Sequence, residues 1–307
     1  MVTVFSTIAP IFLIIVVGFS LRQFKVLGVG AWAPIERLTY YVFFPSLLFV
    51  SLATADVSNL PVGMMAAGVV GTPTVILLIL LSCKTWLGID GPAFTSVAQG
   101  ATRFNTYIGI PLVVTFFGEK YITLCALFIG FMVPFINVVS VWLLTQYGKT
   151  GSTKGHPFGD IIKNPLIISC LAGIAVNLSG LGLTPPIETL FKLLGYAAPP
   201  VGLLCAGAGL DMVAVRAGRL WISISSGIKL IAMPGVALCL ARILGLDEAS
   251  SNVLILFHAL PTAPSAYILA RQLGGDARLM TGILTTQTAA AIVTLPLWLL
   301  LLGGANQ

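Results

Sequence analysis

Charge is what this sequence of 307 residues has least of: only 8% of its residues are charged, where soluble domains carry roughly 25%. A water-facing surface cannot be covered with so few ionic groups. That excludes a soluble globular domain, and with it a nucleic-acid reading of the formal net charge of +6. Acidic residues are absent from the interiors of the apolar segments; Asp56 and Asp211 stand at segment ends. A sodium cage of mid-membrane carboxylates is therefore not expected. Catalytic patterns are missing too: there is no HExxH, no Walker A and no aspartate-rich pair. The stretch GAGLD at 207–211 lacks the third glycine and the preceding strand of a dinucleotide fingerprint. The sequence predicts no enzyme, no cofactor and no metal site. Its five cysteines are odd in number and form no CxxC, which predicts buried free thiols rather than disulfides.

What is present is hydrophobic residue, 57% of the chain, with a mean hydropathy of +1.02. Apolar runs of about 18 residues or more recur, the length that spans a bilayer as helix. They place ten spans at about 4–21, 38–55, 62–83, 93–117, 121–147, 161–181, 189–210, 220–241, 250–273 and 278–302. The first run has no basic residue before it, and Arg22 and Lys25 follow it. This predicts a first span rather than a cleaved leader. The longest hydrophilic stretch, YGKTGSTKGHPFGD, divides the chain near its middle. The expected organisation is a first five-helix unit at 1–148, a cytoplasmic linker at 149–160 and a second five-helix unit at 161–307.

Basic residues sort by loop. Eleven follow odd-numbered spans (Arg22, Lys25, Arg37, Lys84, Lys149, Lys154, Lys163, Arg216, Arg219, Arg271, Arg278), and three follow even-numbered ones (Lys120, Lys192, Arg242). Excess Lys and Arg mark the cytoplasmic side. Both termini are thus expected outside, periplasmic or extracellular, and the central linker inside.

The two halves also resemble each other. At a shift of 155 residues Pro10 falls on Pro165, Gly18 on Gly173, Tyr41 on Tyr196, Pro45 on Pro200 and Asp56 on Asp211. At a shift of 156, Gly118 falls on Gly274 and Trp142 on Trp298. Five spans per unit is an odd number, so the second unit enters the membrane from the opposite side. That is an inverted-topology repeat, an architecture of secondary transporters.

Spans four and nine occupy corresponding places, and both have a polar, Gly- or Pro-containing middle. In span four it runs from Arg103 through Asn105 and Thr106 to Gly109 and Pro111; in span nine it runs from His258 through Pro261 and Thr262 to Pro264 and Ser265. Paired interruptions of this kind point to a transporter's binding site. Irregular backbone at membrane depth survives only inside protein or beside a wet cavity. A restarted helix presents free N–H groups and a positive partial charge, which suits an anion. Pro111 and Pro264 are expected in the first turns of the restarted helices, with Asn105 or Thr106, and Thr262, as N-caps. A kinked but continuous helix is the plainer alternative. The single prolines Pro45, Pro73, Pro134 and Pro234 are read as such kinks.

Three ionisable residues fall within spans: Arg103, Lys229 and His258. Arg103 has an alternative as an interfacial snorkelling residue, Lys229 as a brace on a neighbouring helix end, and His258 as a satisfied core histidine. Gln99, Asn105, Asn137 and Gln287 could bind a cation weakly. Lys229, Gln287, Asn137 and Gln99 are the candidates for a coupling or supporting role. Without carboxylates, His258 is the expected proton carrier if transport is proton-linked. NLS at 177–179 is a formal but short-looped glycosylation sequon.

The chain resembles the auxin efflux carrier family of plant carriers and bacterial malonate-transporter-like proteins. The resemblance rests on YYVFFPSLLFVSLA, FNTYIGIPL, KNPLIISCLAGIAVN, APPVGLLCAGAGLD and ALPTAPSAYILARQLGGD, in that order along the whole chain. It implies an all-α integral membrane protein of ten helices, a 5+5 inverted repeat with discontinuous helices four and nine crossing beside the substrate. It implies a dimerising scaffold of spans one, two, six and seven, which carries Tyr41, Pro45 and Pro200, and a mobile domain of spans three to five and eight to ten. Asn105, Gly109 and Pro111 match the crossover of span four; Pro261 and Pro264 match that of span nine. Plant carriers have an asparagine near the place of His258 and a long central loop. The short loop here suits a bacterial inner-membrane protein. The function implied is elevator-type transport of a small organic anion, a dicarboxylate or auxin-like carboxylate, by a homodimer among membrane lipids. A receptor or substrate-gated channel on the same scaffold is the second reading.

Overall fold

The computed structural model describes residues 2–54, 61–149, 165–216 and 218–303, and every regular element among them is helical. We number the helices α1 (Val2–Gln23), α2 (Trp32–Ala53), α3 (Val62–Leu87), α4 (Gly91–Thr102), α5 (Thr106–Phe117) and α6 (Ile122–Tyr147). There follow α7 (Pro165–Ser179), α8 (Pro185–Ala208), α9 (Arg219–Ile243), α10 (Glu248–Ala259), α11 (Ser265–Leu273) and α12 (Ala277–Gly303). The linker expected at 149–160 lies, after Lys149, outside the described residues, as does Asp56.

Among the described residues, six helices are long and apolar enough to cross a membrane unaided: α2, α3, α6, α8, α9 and α12. Ala9–Gln23 within α1 and Ile168–Ser179 within α7 are shorter apolar helices. The remaining four, α4 with α5 and α10 with α11, are consecutive pairs of short helices in the segments where the sequence placed its interruptions. All five cysteines are free, but Cys83 and Cys239 are exposed rather than buried.

Two long helices carry a π turn, over Thr39–Phe43 in α2 and Ile228–Ala232 in α9. Each is followed at once by a proline, Pro45 and Pro234. These prolines are therefore not simple kinks. Proline donates no bond and crowds the carbonyl four residues back, and a wider turn relieves both problems. In α9 the carbonyl affected is that of Leu230, and it accepts instead from Trp298 Nε1 at 2.9 Å.

Span two begins earlier than expected, at Trp32 rather than about 38. Pro34 sits in its first turn, where proline is favoured. The earlier start brings Glu36 and Arg37 into the helix, and α8, starting at Pro185, takes in Glu188, so carboxylates do lie within spanning segments.

Helices α1, α2, α7 and α8 pack on one another. The α1–α8 contact is close because glycine faces it from both sides. A Cβ at Gly207 would overlap the carbonyl of Ile15, and one at Gly18 would overlap that of Leu204. Without a hydrophobic drive between helices in lipid, such close backbone approach is what holds them. Asn177, from the sequon, bonds the carbonyls of Leu52 and Ala53 at 3.1 and 3.3 Å and so ties α7 to the end of α2. Helices α3, α4, α9, α10 and α12 pack together in a second group, with α6 against α3, α4 and α10. The groups meet where α5 lies against α1 and α8 and where α6 lies against α2 and α7. There Tyr107 of α5 stacks on Phe44 of α2, with ring centres 5.1 Å apart and planes 7° from parallel.

Candidate functional site

The first break lies between α4 and α5. Arg103 leaves the helix with an extended backbone (φ −72°, ψ 160°). Asn105 is extended as well, and its Oδ1 accepts from Tyr107 N at 3.0 Å, capping α5. This is the expected cap. Pro111, however, lies in the interior of α5 rather than in its first turn.

The second break runs from Leu260 to Pro264, between α10 and α11. Its prolines act through their predecessors, because a residue before proline is barred from helical geometry. Leu260, before Pro261, is extended at ψ 146° and ends α10. Pro264 is the N-cap of α11, already helical at φ −55° and ψ −28°, and no side chain caps that helix. Thr262 is thus not the cap.

Three contacts fasten the breaks together. Gln287 of α12 accepts from Thr262 N with Oε1 at 2.9 Å and donates from Nε2 to the Gly100 carbonyl at 3.0 Å. Each partner is a main-chain group that a continuous helix would have satisfied. Arg103 donates from Nη2 to Ser265 Oγ at 3.2 Å and to Asn137 Oδ1 at 3.0 Å, and from Nη1 to Ser140 Oγ at 3.1 Å. Packing supplies the third: a Cβ at Gly109 would stand 2.5 Å from Leu260 Cδ1 and 3.3 Å from the Phe257 ring.

A cavity of about 540 Å³ opens beside these breaks. One wall is α2, with Glu36, Arg37, Tyr40 and Tyr41; the other is Asn105, Thr106 and Tyr107 from the first break and Ala263, Pro264, Ser265 and Ile268 from the second. The starts of both restarted helices therefore face one space. Asn105 Nδ2 is buried with no hydrogen-bond partner. Arg103 is 7% exposed, and its three bonds all go to neutral oxygens. A buried guanidinium paired with neutral oxygens keeps its full charge available to an anion.

Of the residues singled out from sequence, Asn105, Thr106, Pro264, Ser265 and Tyr41 line this cavity, and Arg103 reaches it through Ser265. Gly109, Pro111, Pro261, Thr262 and His258 are buried and are not part of its lining. His258 Nδ1 lies 2.8 Å from the Leu254 carbonyl, and its ring meets Phe128 edge-on at 5.1 Å. Asn137 and Gln287 have their amide oxygens engaged, by Arg103 and by Thr262 N. Gln99 is buried with both amide atoms unpartnered, and so is Lys229 Nζ. Pro45 and Pro200 lie within α2 and α8, away from the lining. Glu36, Arg37, Tyr40 and Ile268 were missed from sequence. Pro34 was the available signal that α2 starts early enough to bring Glu36 and Arg37 in, whereas Tyr40 already lay inside the expected span.

An all-helical, strongly apolar chain whose two broken helices share a cavity belongs to the class of polytopic membrane transport proteins. A profile of the membrane transport protein family matches residues 3–299, and the chain belongs to that family, the auxin efflux carriers. It is 24% identical over 305 residues to an uncharacterized transporter of Methanothermobacter thermautotrophicus, covering 95% of this chain and 96% of the relative. It is 21% identical over 307 residues to the uncharacterized transporter MJ1031 of Methanocaldococcus jannaschii, with 94% and 95% covered. Against the uncharacterized transporter YfdV of Escherichia coli it is 22% identical over 305 residues, again with 94% and 95% covered.

Proposed function

We propose that the protein is a secondary transporter of a small organic anion, a dicarboxylate or auxin-like carboxylate, working by elevator-type alternating access. The observation that carries this reading is the shared cavity between α2 and the starts of α5 and α11, with Arg103 bonded to Ser265 at its edge. Two helix N-termini and a guanidinium that no carboxylate neutralises make an electropositive seat for a carboxylate. Arg37 adds a second cation to the lining and Glu36 a carboxylate.

In this reading the chain crosses the membrane ten times as two inverted units of five, and the discontinuous helices cross at their breaks. Helices α1, α2, α7 and α8 form the scaffold, through which two copies pair. Helices α3–α6 and α9–α12 carry the substrate past it. The glycine-mediated α1–α8 seam supports a rigid scaffold, and the cavity wall supplied by α2 supports a site at the boundary of the two groups. The location is a bacterial inner membrane with both termini outside. The cavity then opens on the cytoplasmic side, where Arg37 stands.

Counterflow in proteoliposomes tests the function. Vesicles loaded with unlabelled malonate, succinate or indole-3-acetate should take up the labelled form of at least one of them faster than protein-free vesicles. Thermal stabilisation by an acid without exchange would instead favour the receptor reading. A flux without exchange would favour the channel.

A further inference from the structure

The mechanism above does not use Lys229, and its placement is unusual. The side chain is fully buried and Nζ has no hydrogen-bond partner. It stands on the π turn Ile228–Ala232 of α9, which packs against α4, α10 and α12. One turn earlier on α9, Ser225 donates to the Val97 carbonyl of α4 at 3.1 Å, and Gln287 Nε2 lies 3.5 Å from the same hydroxyl. Lys229 therefore enters the layer immediately behind the two breaks. That layer holds further buried polar atoms without partners: both amide atoms of Gln99, Ser226 Oγ and Thr262 Oγ1.

The charged and titratable groups around the π turn are few. From α10 the groups are His258, in its last turn, and Glu248, at the far end of that helix. Helix α4 has no charged residue, and α12 has none beyond Arg278 in its first turn. The rest of α9 carries Arg219 and Arg242, one near each end. No carboxylate on these elements stands ready to hold an ammonium there. An ion enclosed without a partner is unfavourable, so an ammonium at this place calls for an anion nearby.

We propose that Lys229 is the proton-carrying site of the transporter, loading one proton for each organic anion moved. This rests on the carrier reading above. When the layer behind the breaks is opened to water, the Nζ lone pair takes a proton from hydronium. The resulting ammonium stands behind the same break as the Arg103 guanidinium, and the anion occupies the cavity in front. Each charge favours the other's binding, and the favour is reciprocal. On the opposite face the anion leaves, the ammonium loses its partner in charge, and the proton returns to water. An ammonium in this layer repels a sodium ion from the orphan oxygens of Gln99 and Thr262, so the proposal expects no coupling to sodium.

The test uses the full-length protein in proteoliposomes, with malonate, succinate and indole-3-acetate as probes and the membrane potential clamped to zero. One coupled proton should accumulate a transported acid about tenfold for each unit of pH gradient, with no dependence on sodium. A trapped pH dye should record proton entry with the acid in the wild type. Lys229→Gln should still exchange label in counterflow, while its accumulation ratio falls to about one, the value for an uncoupled carrier. Lys229→His, which restores a titratable nitrogen, should recover part of the gradient-driven uptake. Wild-type net uptake of an acid without proton entry overturns the proposal whatever the variants do. So does full accumulation by Lys229→Gln, or its loss in His258→Gln alone. Absence of wild-type exchange with every probe, and of binding by any, would instead remove the carrier reading and this proposal with it.

Discussion

Arg103 Nη2 and Ser265 Oγ are 3.2 Å apart across 162 positions of sequence, and this contact joins the end of one broken helix to the start of another. The same guanidinium holds Asn137 and Ser140 of α6. Hydrogen bonds to a charged donor contribute roughly 1.5–3 kcal/mol each. Arg103→Ala should therefore reduce counterflow at least about tenfold, the equivalent of about 1.4 kcal/mol. Arg103→Lys should recover only part, since an ammonium cannot reproduce the fork. Equal rates in wild type and Arg103→Ala would remove this residue from the site.

Asn105 has two separable jobs. Its Oδ1 caps α5, and its Nδ2 is left unpartnered beside the cavity. Asn105→Ala should cost about 1 kcal/mol of stability through the lost cap, together with weaker substrate affinity. Asn105→Asp keeps the capping oxygen but sets a negative charge at the anion seat. Its melting temperature should match the wild type while its half-saturation for substrate rises. A melt and a counterflow titration on each variant check the split.

Gln287 satisfies the Thr262 N–H and the Gly100 carbonyl at once. Gln287→Leu strands both in a buried layer, at roughly 1–3 kcal/mol per group. Gln287→Glu keeps the acceptor for Thr262 N and loses the Nε2 donor that serves Gly100 and Ser225. The expected order of thermal stability in detergent is wild type, then Glu, then Leu. A Leu variant as stable as the wild type would contradict the bridging role.

Gly109 and Leu260 are matched in size across the two breaks. A methyl at 109 meets Leu260 Cδ1 at 2.5 Å, and overpacking of this kind typically costs 1–3 kcal/mol. Gly109→Ala should slow exchange and lower the melting temperature. Adding Leu260→Ala should return part of both, because the clashing methyls are gone. Additive losses in the double variant would show that the two positions do not share the space.

How much of this could be read from sequence differs by element. The interruption of span nine was legible because Pro261 and Pro264 act locally, by forbidding helix at the residues before them. Asn105 was legible as a cap for the same reason, since its oxygen reaches only two residues ahead. Pro111 misled because proline inside a helix of apolar surroundings leaves the same mark in sequence as proline at a helix start. Thr262 misled because its main-chain N–H is satisfied by Gln287, 25 positions away, and nothing near Thr262 announces that partner. The cavity wall on α2 was missed because the charged residues Glu36 and Arg37 look like loop until Pro34 is read as a helix start.

The sequence by itself determined the solvent, the helical class and the two places where the backbone breaks. Each follows from composition or from constraints acting within a few residues: too little charge for water, apolar runs of membrane length, and proline's effect on its neighbour. Only the tertiary structure decided which polar groups meet. Arg103 finds Ser265, Gln287 spans Thr262 and Gly100, and Lys229 is sealed in without a partner. Those outcomes depend on how helices far apart in sequence pack side by side, and desolvation makes each pairing, or its absence, count in a way no local pattern encodes.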